Sequence, residues 1–175
     1  MFQTNRKLSR ILVAVDGSEA AMRAAEYAVS IPIKEDDGQL IALTVVELSK
    51  LGYTSFVTAP TPLSALKGLE KKRTEAKNWL GKAEELAKQN NVPFKSEIIE
   101  EAILKVGTTI VKYAEKHYIE LIVVGTSGKS GFKKLLIGSV ASDVVSYAQC
   151  PVMVVKWHIV ILDTYVPNDI ITITY

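Results

Sequence analysis

The sequence predicts a doubly wound α/β domain on a five-stranded parallel sheet of order 3-2-1-4-5, with a β extension at its C-terminus, and three observations carry that expectation. Short β-branched runs (RILVAV, QLIALTVV, ELIVV, PVMVV) recur along the chain, segments with apolar residues at helical spacing separate them, and 175 residues at 48% hydrophobic close one core without a second domain. Strands that alternate with helices require crossovers. These are right-handed and cover both faces of a parallel sheet.

Residues 10–15 form the first strand, apolar on both faces as a central parallel strand must be. Asp16, Gly17 and Ser18 supply a turn and an N-cap, and the alanine-rich stretch Glu19 to Ser30 forms a helix that stops before Pro32. Gln39 to Val46 gives strand two, and the Thr-, Ser- and Pro-rich stretch 48–61 reads as loop. From about Pro62 to Gln89 apolar positions (Leu66, Leu69, Trp79, Leu80, Ala83, Leu86) recur among charges as a long crossover helix. FKSEIIE after Pro93 is strand three, Lys105 to His117 a helix, Glu120 to Val124 strand four, Gly138 to Ala148 a helix and Pro151 to Val155 strand five. The last nineteen residues, 157–175, hold two β-branched runs, HIVILD and IITITY, around a Val-Pro-Asn-Asp turn. Strand five is a sheet edge, so this tail is expected to cover that edge or to cross to a partner chain.

Composition narrows the function classes. A net charge of +2 from 21 Lys and Arg against 19 acids lacks the basic bias of a nucleic-acid binder. A single cysteine, Cys150, forms no internal disulfide, and MFQTNRKLSR carries no apolar signal core, so a cytoplasmic protein is expected. No apolar stretch reaches the ~20 residues that span a bilayer, so no membrane association is expected.

In a sheet of this order, ligands bind beyond the carboxyl ends of the strands where the winding reverses, between strands one and four. VDGS and GTSG both fall there. GTSGKS resembles the end of a Walker A loop, but that loop needs glycine where Val123 stands, and the reading fails. What remains is Gly125, Gly128 and, nine residues on, Gly138 and Ser139. The first two glycines allow a turn out of strand four and a close ligand approach. The second pair opens a helix, whose unpaired N–H groups and positive dipole end favour an anion such as a phosphate chain. At ordinary glycine frequency this spacing arises in about one chain in two hundred of this length.

At these residues the chain resembles the universal stress protein family, in the ATP-binding subgroup that carries G-x2-G-x9-G-[ST]. ILVAVDGSEAA, LIVVGTSGKSGFKKLLIGSVASDVV and CPVMVVK carry the likeness, over roughly residues 9 to 156. The resemblance implies a Rossmann-like fold of the adenine nucleotide alpha hydrolase type over residues 1–156, ATP as ligand and a homodimer through strand five; the extension 157–175, read above from its β-branched runs, is expected at that interface. Ala14, Val15 and Asp16 would line the nucleoside, with backbone groups near the adenine and the Asp16 carboxylate near ribose or a metal. Val45 would contact adenine, and Val124 and Gly125 ribose and base. Gly128 would meet the phosphates, as would Gly138, Ser139, Val140 and Ala141 through amides and the Ser139 hydroxyl. Mg2+, where it accompanies ATP, would be held through the phosphates and Asp16. The chain departs from the pattern at Ser127, where many members have histidine, at Ala141, where some have threonine or serine, and in its tail.

Other roles stand beside these. Asp16 and Ser18 are also good caps for helix one. Lys129, Lys133 and Lys134 read either as a phosphate contact, Lys129 foremost, or as a solvated loop face. His117 and His158 lie far apart without acids or cysteines at ligand spacing, so no protein-built metal site is expected. Cys150, before a proline at the start of a buried strand, reads as a small apolar residue. No Walker B acid or arginine finger is identifiable, so a nucleotide-responsive stress regulator with at most slow ATPase activity is expected rather than an enzyme. The other class considered is a dimeric interaction module that does not use its crevice. An adenylating enzyme would need an SGGxDS-like loop after strand one, and a phosphoacceptor receiver domain would need paired acids there; VDGSEAA supplies neither.

Overall fold

The computed structural model describes residues 8–34, 36–51, 63–126, 137–156 and the backbone of 170–173. Along the chain run β1 (Arg10–Ala14), α1 (Glu19–Val29), β2 (Gln39–Glu47), α2 (Leu63–Gln89), β3 (Phe94–Glu101), α3 (Val106–Lys116), β4 (Leu121–Gly125), α4 (Ser139–Tyr147), β5 (Val152–Val155) and β6 (Ile170–Ile173). They form one sheet of order β3-β2-β1-β4-β5-β6. The first five strands are parallel and β6 pairs antiparallel with β5, Val152 opposite Ile173 and Val155 opposite Ile170.

β1 is central because it can be. Ile11, Leu12 and Val13 are fully buried, so neither face of the strand meets water. Ile11 and Val13 pack with α1 and α2 residues such as Ala24, Ala28, Leu80 and Ala83 on one face. Leu12 packs with Ile110, Ala114 and Val144 of α3 and α4 on the other. Each such aliphatic side chain contributes about 1.5–3 kcal/mol by its burial. Alanines dominate the inward faces of α1 and α2, which lets both helices lie close on the sheet.

The long crossover helix α2 spans 27 residues. It rests on β2 and β3 through Ala65, Leu69, Ala76, Leu80, Ala83 and Ala87, a stripe at three- and four-residue spacing. On the opposite face α3 and α4 approach so closely that a Cβ at Gly107 would lie 2.4 Å from the Asp143 Cβ. The start of β1 is tied to the turn between α3 and β4 by two long-range bonds: Ser9 N–H donates to Glu120 Oε2 at 2.6 Å, and Arg10 Nη1 donates to the His117 carbonyl at 2.8 Å.

Two details differ from the sequence reading. Ser49–Leu51 form a 3-10 turn inside the expected loop. Val15 lies just past β1 but still donates to the Leu43 carbonyl at 2.9 Å. Of the two courses expected for the tail, β6 takes the first and covers the outer edge of β5 in the same chain. The run HIVILD lies outside the described residues, as do Ser127, Gly128, Lys129, Lys133, Lys134 and His158. Among the described residues no helix is long and apolar enough to cross a membrane.

Candidate nucleotide site

Beyond the carboxyl ends of β1, β2 and β4 lies a cleft of ≈ 390 Å³. Ala14, Val15, Asp16, Val45, Val124, Gly125, Gly138, Ser139, Val140 and Ala141 all line it, so the fold brings these residues to one place. Gly128 and Lys129 lie outside the described residues.

The turn after β1 is built by three consecutive residues. Ser18 is the N-cap of α1, its Oγ accepting the Ala21 N–H at 3.1 Å. The Asp16 Oδ1 accepts the Ser18 N–H at 2.9 Å. Gly17 between them has φ +76°, a conformation that side chains disfavour. Capping therefore falls to Ser18, and the exposed Asp16 carboxylate stands at the cleft.

Val15 lines the cleft with its backbone tied to β2: its N–H donates to the Leu43 carbonyl at 2.9 Å, and its carbonyl accepts the buried Thr44 hydroxyl at 2.8 Å. Among the described residues, the next peptide edge facing this way without a partner is that of Val45. Gln39 and Leu43 bond toward β1 whereas Leu40 and Leu48 bond toward β3, and this alternation turns Val45 toward β1. The ladder of β1 with β2 ends at Ala14 opposite Leu43, so the Val45 peptide falls beyond it, on the cleft.

At the other end of the cleft α4 begins. Gly138 is its N-cap and brings no capping side chain, and no described residue supplies one. The Gly138 N–H donates to the Thr126 carbonyl at 2.5 Å, and its own carbonyl accepts from Ser142 at 2.8 Å, which leaves the first-turn amides after it at the positive end of the helix. Gly138 has φ −60°, so its backbone does not itself require glycine. Gly125 is different. A Cβ there would come within 2.6 Å of the Ala20 backbone, so its missing side chain serves the seating of α1 against β4.

Sequence reasoning missed the wall contributed by α2 and by the end of β2. Trp79, Lys72, Glu47 and Lys50 line the cleft, together with Val106 and Ile110 of α3. Lys72 pairs with Glu75 at 2.8 Å, and Lys50 pairs with Glu47. These lysines are already balanced by carboxylates, so anion attraction at the described residues comes from the α4 terminus. Trp79 had a sequence signal only as an apolar helix position. Among the described residues no group of three or more His, Cys, Asp or Glu side chains is placed to hold a metal ion.

An apolar slot with an open peptide edge at one end and a helix N-terminus at the other fits an adenine base and a phosphate in its donor set. Fold and site together define a doubly wound domain of the nucleotide-binding type. The family model of the universal stress protein family matches residues 7–156, and the chain belongs to that family. It is 36% identical over 147 residues to Universal stress protein MJ0531 of Methanocaldococcus jannaschii, covering 84% of this chain and 81% of that one. Among solved structures it is similar to universal stress protein UspA from Lactobacillus plantarum, with a TM-score of 0.68 and 29% identity over 86% of this chain and 99% of that one. The universal stress protein from Archaeoglobus fulgidus, solved in complex with dAMP, shares the fold at a TM-score of 0.60 and 21% identity, over 85% of this chain and 98% of that one.

Proposed function

We propose that the chain binds ATP in this cleft and acts as a nucleotide-responsive stress regulator in the cytoplasm. The observation that carries the reading is the meeting of two backbone surfaces on one cleft, each without a bonding partner among the described residues: the Val45 peptide edge at the end of β2 and the start of α4 at Gly138, Ser139, Val140 and Ala141. Adenine seats between Val45, Val124 and Ala14, with ribose at Gly125 and Asp16, and the phosphates lie on the α4 amides and the Ser139 hydroxyl. Gly128 and Lys129, outside the described residues, are assigned to the phosphates by the family motif alone, and Mg2+ is held by the phosphates with Asp16 as its protein ligand. The dAMP held by the Archaeoglobus fulgidus relative supports an adenine nucleotide as the ligand class.

Regulation is favoured over turnover. The carboxylates on the cleft are Asp16 and Glu47, and Glu47 is engaged by Lys50, so the described site offers no pair of free acids to orient a water against a γ-phosphate. The working form is a homodimer joined through the tail, since β6 presents the outer edge of the sheet. Mass spectrometry of the ligand released by denaturing freshly purified protein tests the reading. Released ATP, or tight uptake of ATP by emptied protein, supports it; release of another nucleotide together with failure to take up ATP overturns it.

A further inference from the structure

We infer that Trp79, on α2, is the positioning residue for the nucleoside end of the cleft: its indole seats on Gly17 and fixes the direction of the Asp16 carboxylate. The contact is close. A Cβ built on Gly17 would lie 2.2 Å from the indole Nε1, 2.3 Å from Cε2 and 2.6 Å from Cδ1, so the ring occupies the space where any other residue would carry a side chain.

Gly17 is where the turn needs such support. At φ +76° it occupies a region that glycine enters and leaves at little cost, and a bare glycine linker would let Asp16 swing. The turn is instead held from two sides. Inside, Asp16 Oδ1 accepts the Ser18 N–H across Gly17. Outside, the indole covers the Gly17 backbone, and Trp79 is itself anchored, packing against both the main core under α1 and the smaller cluster of Val46, Leu69 and Ala76. A side chain locked by packing on a rigid helix can hold a loop to the sub-ångström tolerance that binding geometry requires.

Trp79 also lines the cleft, so it has a second route to the ligand, by direct contact. The two routes differ in their coupling to Asp16. A positioning residue acts through the carboxylate, and its effect disappears when the carboxylate is gone; a direct contact adds independently.

The inference rests on the nucleotide reading above, and the experiment separates the two. ATP affinity with Mg2+ is measured by calorimetry for the parent, Trp79→Ala, Trp79→Phe, Asp16→Asn and the Asp16→Asn/Trp79→Ala double variant. Exchange of the Ser18 amide hydrogen is followed by NMR in the same proteins without ligand. Trp79→Ala is expected to weaken ATP by about tenfold, Trp79→Phe by less than about threefold because a flat ring remains, and Trp79→Ala by less than about twofold once Asp16 is Asn. Equal losses with and without Asp16, or no loss from Trp79→Ala, overturn the inference. If the parent fails to bind ATP, the nucleotide reading falls and the Ser18 amide decides: exchange faster by about tenfold in Trp79→Ala supports positioning, and unchanged exchange overturns it. Should Trp79→Ala lose its circular dichroism signature, Trp79→Leu, apolar but without the ring, carries the same arms.

Discussion

The Asp16 carboxylate accepts the backbone N–H of Ser18, and Ser18 in turn caps α1, so two polar side chains on either side of Gly17 have divided a task that either could perform. That division makes them separable by mutation. Asp16→Asn keeps an acceptor for the Ser18 amide and is expected to leave stability nearly unchanged while weakening ATP by about tenfold, ~1.4 kcal/mol. Ser18→Ala is expected to do the reverse, costing about 1 kcal/mol of stability through the lost cap. Calorimetric titration with magnesium present, beside urea denaturation of both variants, checks the pair. Equal ATP affinity in Asp16→Asn would remove that residue from the site.

Gly138→Val probes the phosphate end. The backbone there has φ −60° and ψ 158°, which valine adopts without strain, and a valine at this N-cap costs the helix about 1 kcal/mol or less. The fold is therefore expected to persist by circular dichroism while the branched side chain blocks approach to the α4 amides and abolishes ATP binding. A variant that titrates like the parent would refute the assignment of the phosphates to α4.

The edge strand β3 carries an acid-sensitive element. Lys95, 2.6 Å away, holds the Glu97 carboxyl below the usual carboxylate range, and the amides of Ile103 and Leu104 do the same for Glu101. A carboxyl whose pKa is depressed by folding stabilises the native state above its unfolded pKa, and that stabilisation is lost as the pH falls through its folded pKa. Stability measured by urea denaturation is thus expected to drop between about pH 5 and pH 3, and more gently in Glu97→Gln and Glu101→Gln. An identical acid limb in both variants would show that neither carboxyl contributes. The same neighbourhood acts oppositely on Tyr113, whose phenol is pushed up first by burial and then by the Glu97 charge, so it stays protonated throughout this range.

Truncation after Lys156 removes the strand on the outer edge of β5. The expected result is a weaker or rearranged dimer, seen as a concentration-dependent change in light scattering, with ATP binding retained because the cleft lies at β1, β2 and β4. A dimer of unchanged stability would exclude the tail from the interface.

The legible parts of the fold are those in which a local pattern and the tertiary environment say the same thing. RILVAV and LIVV are apolar without alternation because they are buried on both faces, and the Asp-Gly-Ser turn announces itself through residues with strong conformational preferences. Relationships across the chain were not legible. Nothing near Gly17 reveals that an indole from α2 covers it, and nothing near Gly125 reveals that Ala20 is its neighbour. The Val45 peptide edge is open only because β1 ends one rung earlier, a matter of relative strand length that no single segment records. The tail showed its strand character in its β-branched runs, but its antiparallel direction on β5 and its place in the same chain follow only from the assembled sheet.

The place of β1 at the centre of the sheet bears on how the chain is made. Its partner on one side, β2, begins at Gln39, but its partner on the other, β4, begins at Leu121, and the latch from Ser9 to Glu120 spans 111 positions. During synthesis at about 5–20 residues per second, β1 therefore waits on the order of ten seconds with one edge unpaired. The β3-β2-β1 half, with α1 and α2 on one face, is available first, and the entropy of closing the long loop falls on β4. Until Leu121–Val123 arrive, the unpaired N–H and C=O groups along that edge of β1 are open to pairing with another strand, and a ribosome that pauses before β4 lengthens that exposure.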